Sequence, residues 1–342
     1  MADRPHVLIG TPELDAVMDA LADVLRATRL NGGAYLRGEF REPWCIAGGT
    51  GLPDGVAPYL TDTTEIVPYH FVLDGLLRVK TDGAPPLEIQ SGEAVLFPHN
   101  SAHVLGGDLA LPPTPSADLI TQSGDDVPMF VMNLDGSGHC TRIGCGYLAG
   151  ERLRFNPLFR ALPPVLPFKV RESRAADWVR STFQYAADQI ADGRIGSDTV
   201  LAKVSELLLV EAVRSYVDAL PDGQSGWLAG LRDAYVARAL RAMHSDLGAR
   251  WTVEKMGREA GLSRSAFAQR FTGLMDMTPM QYLAHWRMEV AAQQLCATDR
   301  SILAIAQDVG YDTEAAFSRA FKRHLGKPPA TWRRNRARMG SE

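Results

Sequence analysis

The chain has 342 residues, of which 46% are hydrophobic and 22% charged, and it carries a net charge of −4. This length allows two or three domains, each with its own buried core. The first ten residues lack the long apolar region of a secretory signal, and no stretch approaches the ~18 apolar residues that span a bilayer. We therefore expect a cytoplasmic protein that does not contact the membrane. Four cysteines are too few for a disulfide framework, so we expect reduced thiols.

Charge is unevenly distributed along the chain. From Leu228 onward there are 18 Lys and Arg against 11 Asp and Glu, whereas the preceding residues carry 18 against 29. The basic C-terminal third predicts an acidic partner for that region, with nucleic acid as the leading candidate.

The first half of the chain has the pattern of a β-rich domain. An amphipathic helix is predicted over residues 11–28, because apolar residues recur there at helical spacing after a Thr-Pro start. From Gly33 to Leu148 short apolar runs alternate with Gly, Pro, Asp and Asn, which is typical of an antiparallel sandwich or barrel.

Two long helices are predicted next, over Ser173–Ala191 and Ser197–Ala219. The second carries more than one apolar stripe, formed by Val200, Val204, Leu207, Leu208, Val213 and Val217. Either both stripes serve one intramolecular core, or one of them packs on a second subunit in a homodimer. Residues 221–226 have the composition of a linker.

From Trp227 onward the chain is predicted to be helical and contains an internal repeat. The segment Thr252–Leu283 aligns with Ser301–Arg333, pairing Gly261 with Gly310, Phe267 with Phe317 and Phe271 with Phe321. Each copy predicts a helix, a turn with a glycine, and a second helix capped by Ser263 in copy one and Asp312 in copy two. This is the order of a helix-turn-helix.

The second helix of each copy is expected to bury its phenylalanines and to point other side chains outward. The predicted outer face consists of Arg264, Ser265, Ala268 and Gln269 in copy one, and of Glu314, Ala315, Ser318 and Arg319 in copy two. Side chains in such positions can reach base edges in a major groove. Two ordinary helical hairpins would explain neither the repeat nor the basic charge.

The residues of this region resemble the DNA-binding domain of the AraC/XylS family of bacterial transcription regulators. The resemblance covers about 105 residues and rests on Ser263, Phe267, Arg270, Phe271, Thr278, Pro279, Tyr282, Arg287, Met288 and Ala292, followed by "GYDTEAAFSRAFKRHLGKPPATWRR". It implies two helix-turn-helix units joined by a long helix, here Pro279 to Cys296, and RNA polymerase as a further partner. Asp276 departs from the glycine usual in the family, and we expect it in the left-handed conformation.

The resemblance also assigns roles at the DNA. It implies that Ser265, Gln269, Ala315 and Arg319 read bases in double-stranded promoter DNA, with Arg319 suited to guanine. Arg264, Lys322, Arg323 and the "RRNRAR" segment are expected to contact phosphates.

A second resemblance concerns the β-rich region. "GEAVLFPHNSAH", with Gly92, Pro98 and His103, resembles the second motif of the cupin fold, and the end of "TDTTEIVPYHFVLDG" resembles the end of the first. Cupin enzymes usually bind metal through a His-x-His that is missing here. This absence argues against a typical cupin enzyme site. A subgroup of AraC-like regulators carries a cupin-type sensor in front of the DNA-binding domain, and this resemblance, which covers essentially the whole chain, implies a sensor domain and no enzyme. The alternative is a cupin metalloenzyme fused to a DNA-binding module.

The stretch "HCTRIGCGYL" contains two of the four cysteines. Strand alternation predicts that Cys145 faces inward and that Cys140 lies near the rim, unless a bulge at Gly144 reverses the register. His70 is expected inward by strand parity, and His103 by its position in the cupin-like motif. Three interpretations remain open. In the first, His70, His103 and Cys145, with Cys140 if a bulge allows, form a Zn²⁺ site. In the second, a cysteine whose pKa is lowered by a nearby histidine senses oxidants. In the third, these residues line the site of a small organic effector.

The sequence thus predicts an α+β protein that acts as a DNA-binding transcription regulator. We predict a cupin-like β-barrel sensor at 1–168, a helical dimerisation region and linker at 169–226, and an all-α double helix-turn-helix domain at 227–342.

Overall fold

The computed structural model describes residues 30–48, 64–123, 129–151, 153, 156–169, 181–182, 185, 197–221 and 223–339. Strands occupy most of the first part of this chain, and helices occupy the remainder. The predicted α+β class is confirmed. The helix predicted at 11–28 lies outside the described residues, as does nearly all of the helix predicted at Ser173–Ala191.

Twelve strands are found in the described residues. They are β1 Asn31–Arg41, β2 Cys45–Gly48, β3 Thr64–Asp74, β4 Leu76–Thr81, β5 Leu87–Gln90, β6 Ala94–Leu96, β7 His103–Gly106, β8 Thr114–Pro115, β9 Ile120–Ser123, β10 Met129–Leu134, β11 Cys140–Glu151 and β12 Leu166–Phe168.

These strands form two sheets around an apolar core. One sheet has the order β12-β6-β3-β11-β1-β10-β9 and the other β5-β4-β7-β2-β8. Most neighbouring strands are antiparallel, as predicted, but β1 pairs with β10 and β2 pairs with β8 in parallel. Both parallel pairs join strands far apart in sequence, which local patterns cannot reveal. The core between the sheets includes Phe40, Trp44, Phe97 and Cys145.

Helix α1 spans Pro157–Ala161, and helix α2 spans Ser197–Asp218. Helix α2 packs against β1, β11 and β12. Its buried side chains include Val204, Leu208, Val213 and Val217, whereas Leu207 is half-buried. One apolar stripe of α2 therefore serves the β-rich core, as predicted.

The remaining helices follow the order expected of the repeat. They are α3 Trp227–Arg232, α4 Ala234–Ser245, α5 Val253–Ala260, α6 Arg264–Met275, α7 Pro279–Ala297, α8 Ile302–Asp308, α9 Glu314–Leu325 and α10 Pro329–Met339. Helix α7 agrees with the predicted connection to within one residue. No helix of the described chain is long and apolar enough to cross a bilayer.

The chain divides into two compact units. One comprises Leu30–Arg154 and Leu162–Ala219, and therefore holds the strands and α2. The other comprises Leu220–Glu342 with Phe155–Ala161, and holds the other helices. These units place α2 with the strands, whereas the three segments predicted from the sequence divide the chain differently.

Candidate nucleic-acid interface and sensor cluster

The first helix-turn-helix is formed by α5 and α6. Gly261 ends α5 in the left-handed conformation, with φ +78°, which glycine adopts at little cost. The Ser263 hydroxyl then caps α6 by accepting a hydrogen bond from the Ala266 amide at 3.3 Å. Helix α6 ends at Asp276 with φ +54°, so this departure from glycine takes the left-handed conformation we expected.

The second helix-turn-helix is formed by α8 and α9, with Gly310 at φ +80° in its turn. Helix α9 is capped by Thr313, whose hydroxyl accepts from the Ala316 amide at 3.2 Å. The prediction of Asp312 as the cap is therefore wrong by one residue. The single residue inserted in copy two lies before the cap, and Asp312 instead lies 3.7 Å from Arg250 in an exposed ion pair.

The two copies bury equivalent aromatic pairs. Ring centroids of Phe267 and Phe271 are 5.4 Å apart, and those of Phe317 and Phe321 are also 5.4 Å apart. All four side chains are fully buried. This common geometry holds each second helix on its own core, so that the opposite face of α6 and of α9 points outward.

Most of the predicted DNA-contacting side chains lie on these outer faces. Those of Arg264, Ser265, Gln269, Glu314, Ala315, Arg319, Lys322 and Arg323 are exposed, whereas Ala268 and Ser318 are half-buried. Lys322 and Arg323 lie in the last turn of α9, where positive charge also favours the helix. Of the terminal basic segment, Arg333 donates to the carbonyl oxygen of Arg300 at 2.5 Å and thus has a structural contact.

Sequence reasoning missed the contacts of Arg270 in α6. Its guanidinium donates to Asp233 at 2.8 and 2.5 Å and lies 5.0 Å from the centre of the Tyr235 ring. The hydrogen bond to Asp233 raises the pKa of Arg270. The same carboxylate caps α4, so Arg270 connects α6 to the start of α4.

In the β-rich unit the structure brings His70, His103 and Cys145 together. Cys145 and His70 are opposite each other on β11 and β3, and the Cys145 Sγ lies 2.8 Å from His70 Nδ1. His70 Nε2 lies 2.9 Å from His103 Nε2, and His103 Nδ1 lies 2.8 Å from the Ser101 carbonyl oxygen. Cys140 begins β11 and is half-buried, with its carbonyl against the turn at Gly75.

These contacts define where each proton lies. Burial lowers the pKa of both histidines, so each ring is neutral and carries one N–H. A carbonyl only accepts, so His103 Nδ1 carries the proton and its Nε2 accepts from His70 Nε2. His70 Nδ1 must then accept from the thiol of Cys145. The cluster is a neutral chain of hydrogen bonds that runs from Cys145 to Ser101.

The chain of hydrogen bonds does not fit the predicted zinc site. His70 directs a different ring nitrogen at each neighbour, whereas a chelate needs all donors to converge on one point. Among the residues described, no group of three or more His, Cys, Asp or Glu side chains is arranged to hold a metal ion.

The environment of Cys145 also argues against an activated thiol. Its side chain is 4% exposed, and burial raises its pKa. A neutral His70 cannot lower that pKa by charge. The lining interpretation, with hydrogen-bonded histidines and a buried thiol, agrees best with these contacts.

We expect alkylation to distinguish the two cysteines of β11. With iodoacetamide at neutral pH, the half-buried Cys140 should react before Cys145, by a factor on the order of 100, because reaction needs an accessible thiolate. Mass spectrometry of peptides from the native chain measures both rates, and Cys140→Ser is the control for assignment. Faster labelling of Cys145 would show that it is an activated thiol.

Comparison with known proteins bears on both units. A cupin family model matches residues 19–218, and a helix-turn-helix family model matches residues 256–335. An AraC-like transcription regulator of Streptomyces lividans is 31% identical over 322 residues, covering 93% of this chain and 99% of that protein. The chain belongs to the AraC family of transcription regulators.

The chain is also similar to a second full-length regulator and to a solved DNA-binding domain. The HTH-type transcriptional regulator AlkR of Acinetobacter baylyi is 26% identical over 321 residues, covering 92% of this chain and 99% of AlkR. The DNA-binding domain of AdpA, solved in complex with a target DNA, is 30% identical, covers 31% of this chain and 96% of its own, and has a TM-score of 0.30. The two family models and the two full-length relatives identify a DNA-binding transcription regulator with a cupin-like N-terminal region, as the sequence predicted.

Proposed function

We propose that this AraC-family regulator recognises its promoter by placing α6 and α9 in successive major grooves of one duplex. The observation that carries the proposal is the equivalence of the two motifs. Both second helices are capped at the start, held by a buried phenylalanine pair, and exposed on the opposite face. Ser265 and Gln269 then read one groove, and Ala315 and Arg319 read the other.

Arg319 is the strongest base reader in this proposal, because its guanidinium can bond guanine O6 and N7 together. Replacement by alanine should weaken binding to the specific duplex about 10- to 100-fold, in line with the ~1–3 kcal/mol of a bidentate contact. Binding to random duplex at the same salt should change much less. Titration of full-length protein on both duplexes measures the two losses.

Lys322, one turn further along α9, supplies the matched control. Lys322→Ala should weaken both duplexes alike and lower the slope of log affinity against log salt by about 1, as expected of a phosphate contact. Equal losses on both duplexes for Arg319→Ala would remove its assignment as a base reader.

We further propose that the β-rich unit is the sensor and that the His70–His103–Cys145 chain is its polar centre. His70 and His103 are 8% and 5% exposed and lie beside an otherwise apolar core. A small organic effector that bonds to His70 competes with its hydrogen bonds to Cys145 on β11 and to His103 on β7. Such binding can therefore favour a different arrangement of these strands. The alternative of a cupin metalloenzyme has no three-ligand group in the described chain to support it.

Dimerisation is proposed for α2. One side of this helix packs on the strands, while Leu207 and Val210 remain half-buried on another side. A homodimer of the regulator would place two double helix-turn-helix domains on one promoter, with RNA polymerase as the further partner. Sedimentation of full-length protein with Leu207→Lys tests this, since a dimer through α2 should dissociate.

A further inference from the structure

Arg287 lies in the middle of α7, between the two helix-turn-helix motifs. Its Nε and Nη2 donate to the Leu247 carbonyl oxygen at 3.1 and 2.9 Å, and Nη2 also donates to the Ala249 carbonyl at 2.8 Å. Its Nη1 lies 3.5 Å from the Gly310 carbonyl oxygen. We call residues 246–250, which connect α4 to α5, the junction loop. Arg287 therefore contacts the loop that leads into the first motif and the turn of the second.

The chemistry of arginine suits this bridge. A guanidinium presents several donors in one plane and stays charged even though burial lowers the pKa of Arg287. Carbonyl oxygens of two separate segments can therefore be held by one rigid group. Lysine has a single ammonium on a flexible stem and cannot hold both segments in the same plane.

The junction loop and the second turn also approach each other through backbone. A Cβ on Gly248 would lie 2.9 Å from the Asp308 carbonyl oxygen, and a Cβ on Gly310 would lie 3.0 Å from the Gly248 carbonyl oxygen. Leu247 packs against the buried cluster that contains Phe317 and Phe321. The two motifs are thus connected in two ways, covalently through α7 and by non-covalent contacts between the junction loop and the second motif.

We propose that Arg287 is a positioning residue that sets the distance and rotational phase between α6 and α9, and hence the spacing of the two DNA segments they bind. A single connecting helix would leave one end of each motif free to rotate. The Arg287 contacts close the second side of the junction and hold the motifs at one angle. This inference rests on the proposed function, because spacing has meaning only if both motifs bind one duplex.

The test measures the spacing preference of the full-length protein. Wild-type protein first selects a duplex from a library with a randomised core of ~30 base pairs, about three helical turns. Binding is then measured on that duplex and on versions with one added base pair, or half a turn, between the two contacted segments. A single base pair rotates one segment by about 35° relative to the other, so the wild type should lose roughly tenfold or more.

Arg287→Ala should bind the selected duplex several-fold more weakly, and its additional loss on the insertion duplex should fall to less than about threefold. Arg287→Lys, which keeps the charge, should give an intermediate penalty; it carries the test if the alanine variant fails to fold by circular dichroism. Arg300→Ala is the matched control. Its guanidinium pairs with Asp308 within the second half of the domain, so its insertion penalty should equal that of the wild type.

Three outcomes would overturn the inference. An insertion penalty in Arg287→Ala and Arg287→Lys equal to that of the wild type would remove Arg287 as the positioning residue and leave two-groove binding intact. The same loss of spacing preference in Arg300→Ala would show a general loosening of the domain. A wild-type protein indifferent to insertions would instead contradict two-groove binding itself, and the inference with it.

Discussion

Phe317→Ala is expected to destabilise the second helix-turn-helix by about 3–5 kcal/mol, the usual cost of emptying a phenylalanine site in a core. The Phe317 side chain is fully buried, and its ring contacts those of Phe321 at 5.4 Å and Tyr311 at 5.7 Å between centroids. Few neighbours can fill the space, because α7, α8 and α9 all converge on this cluster.

Amide hydrogen exchange over Glu314–Leu325 in the full-length protein measures the loss of stability in α9, the helix that contains Phe317. Exchange there should accelerate by a factor on the order of 100 or more, since every 1.4 kcal/mol is tenfold. Leu303→Ala is the control, because Leu303 is an apolar residue of the same motif with 42% exposure. It should change exchange little, and an equal effect of both substitutions would contradict the packing described.

Acid is expected to destabilise the DNA-binding unit through His244. Its Nε2 lies 2.8 Å from the Tyr282 hydroxyl, which also accepts a hydrogen bond from Trp227 Nε1 at 3.2 Å. Burial lowers the pKa of His244 from 6.5 to about 3. Between these two pH values the unfolded chain binds more protons than the folded one, so lowering the pH favours unfolding.

The part of the free energy of unfolding that depends on a neutral His244 is therefore fully present above about pH 6.5, and it decreases as the pH falls towards 3. At pH 4.5 the loss should be about 2–3 kcal/mol, at ~1.4 kcal/mol per pH unit. His70 and His103 act with the same sign in the β-rich unit, so His244→Gln must be compared with the wild type. Amide hydrogen exchange in α4 reports the free energy of unfolding of this unit. In His244→Gln this free energy should be lower than in the wild type at pH 7, but it should fall less as the pH is lowered. An unchanged pH dependence would contradict a neutral His244.

The double helix-turn-helix could be predicted almost completely from the sequence. Its signals are local: glycines in turns, hydroxyls at caps, and phenylalanines four residues apart. An error concerned the cap of α9, where the repeat alignment could not place a single inserted residue and Thr313 rather than Asp312 takes the position. Two adjacent residues that both favour caps cannot be ranked by composition.

Contacts between distant segments were beyond sequence reasoning. Strand parity predicted that His70 and Cys145 face inward, and the cupin-like motif predicted the same for His103. Neither signal could predict that both ring nitrogens of His70 form hydrogen bonds, one with Cys145 and one with His103. The partners of Arg287 are backbone carbonyls about 40 residues before it and 23 after it. Because every residue has a backbone carbonyl, the sequence does not indicate which of them accepts a hydrogen bond. An arginine beside Trp286 and Met288, both buried, was the available signal.

The most direct test is a methylation-protection experiment, in which the full-length protein is bound to the selected duplex and shields its guanines from a methylating reagent. Two patches in the major groove on one face of the DNA, about 10–10.5 base pairs apart, are expected. Arg319→Ala should reduce protection in one patch and Gln269→Ala in the other. A single protected patch, or reduced protection of the same patch in both variants, would contradict recognition by α6 and α9 in successive grooves.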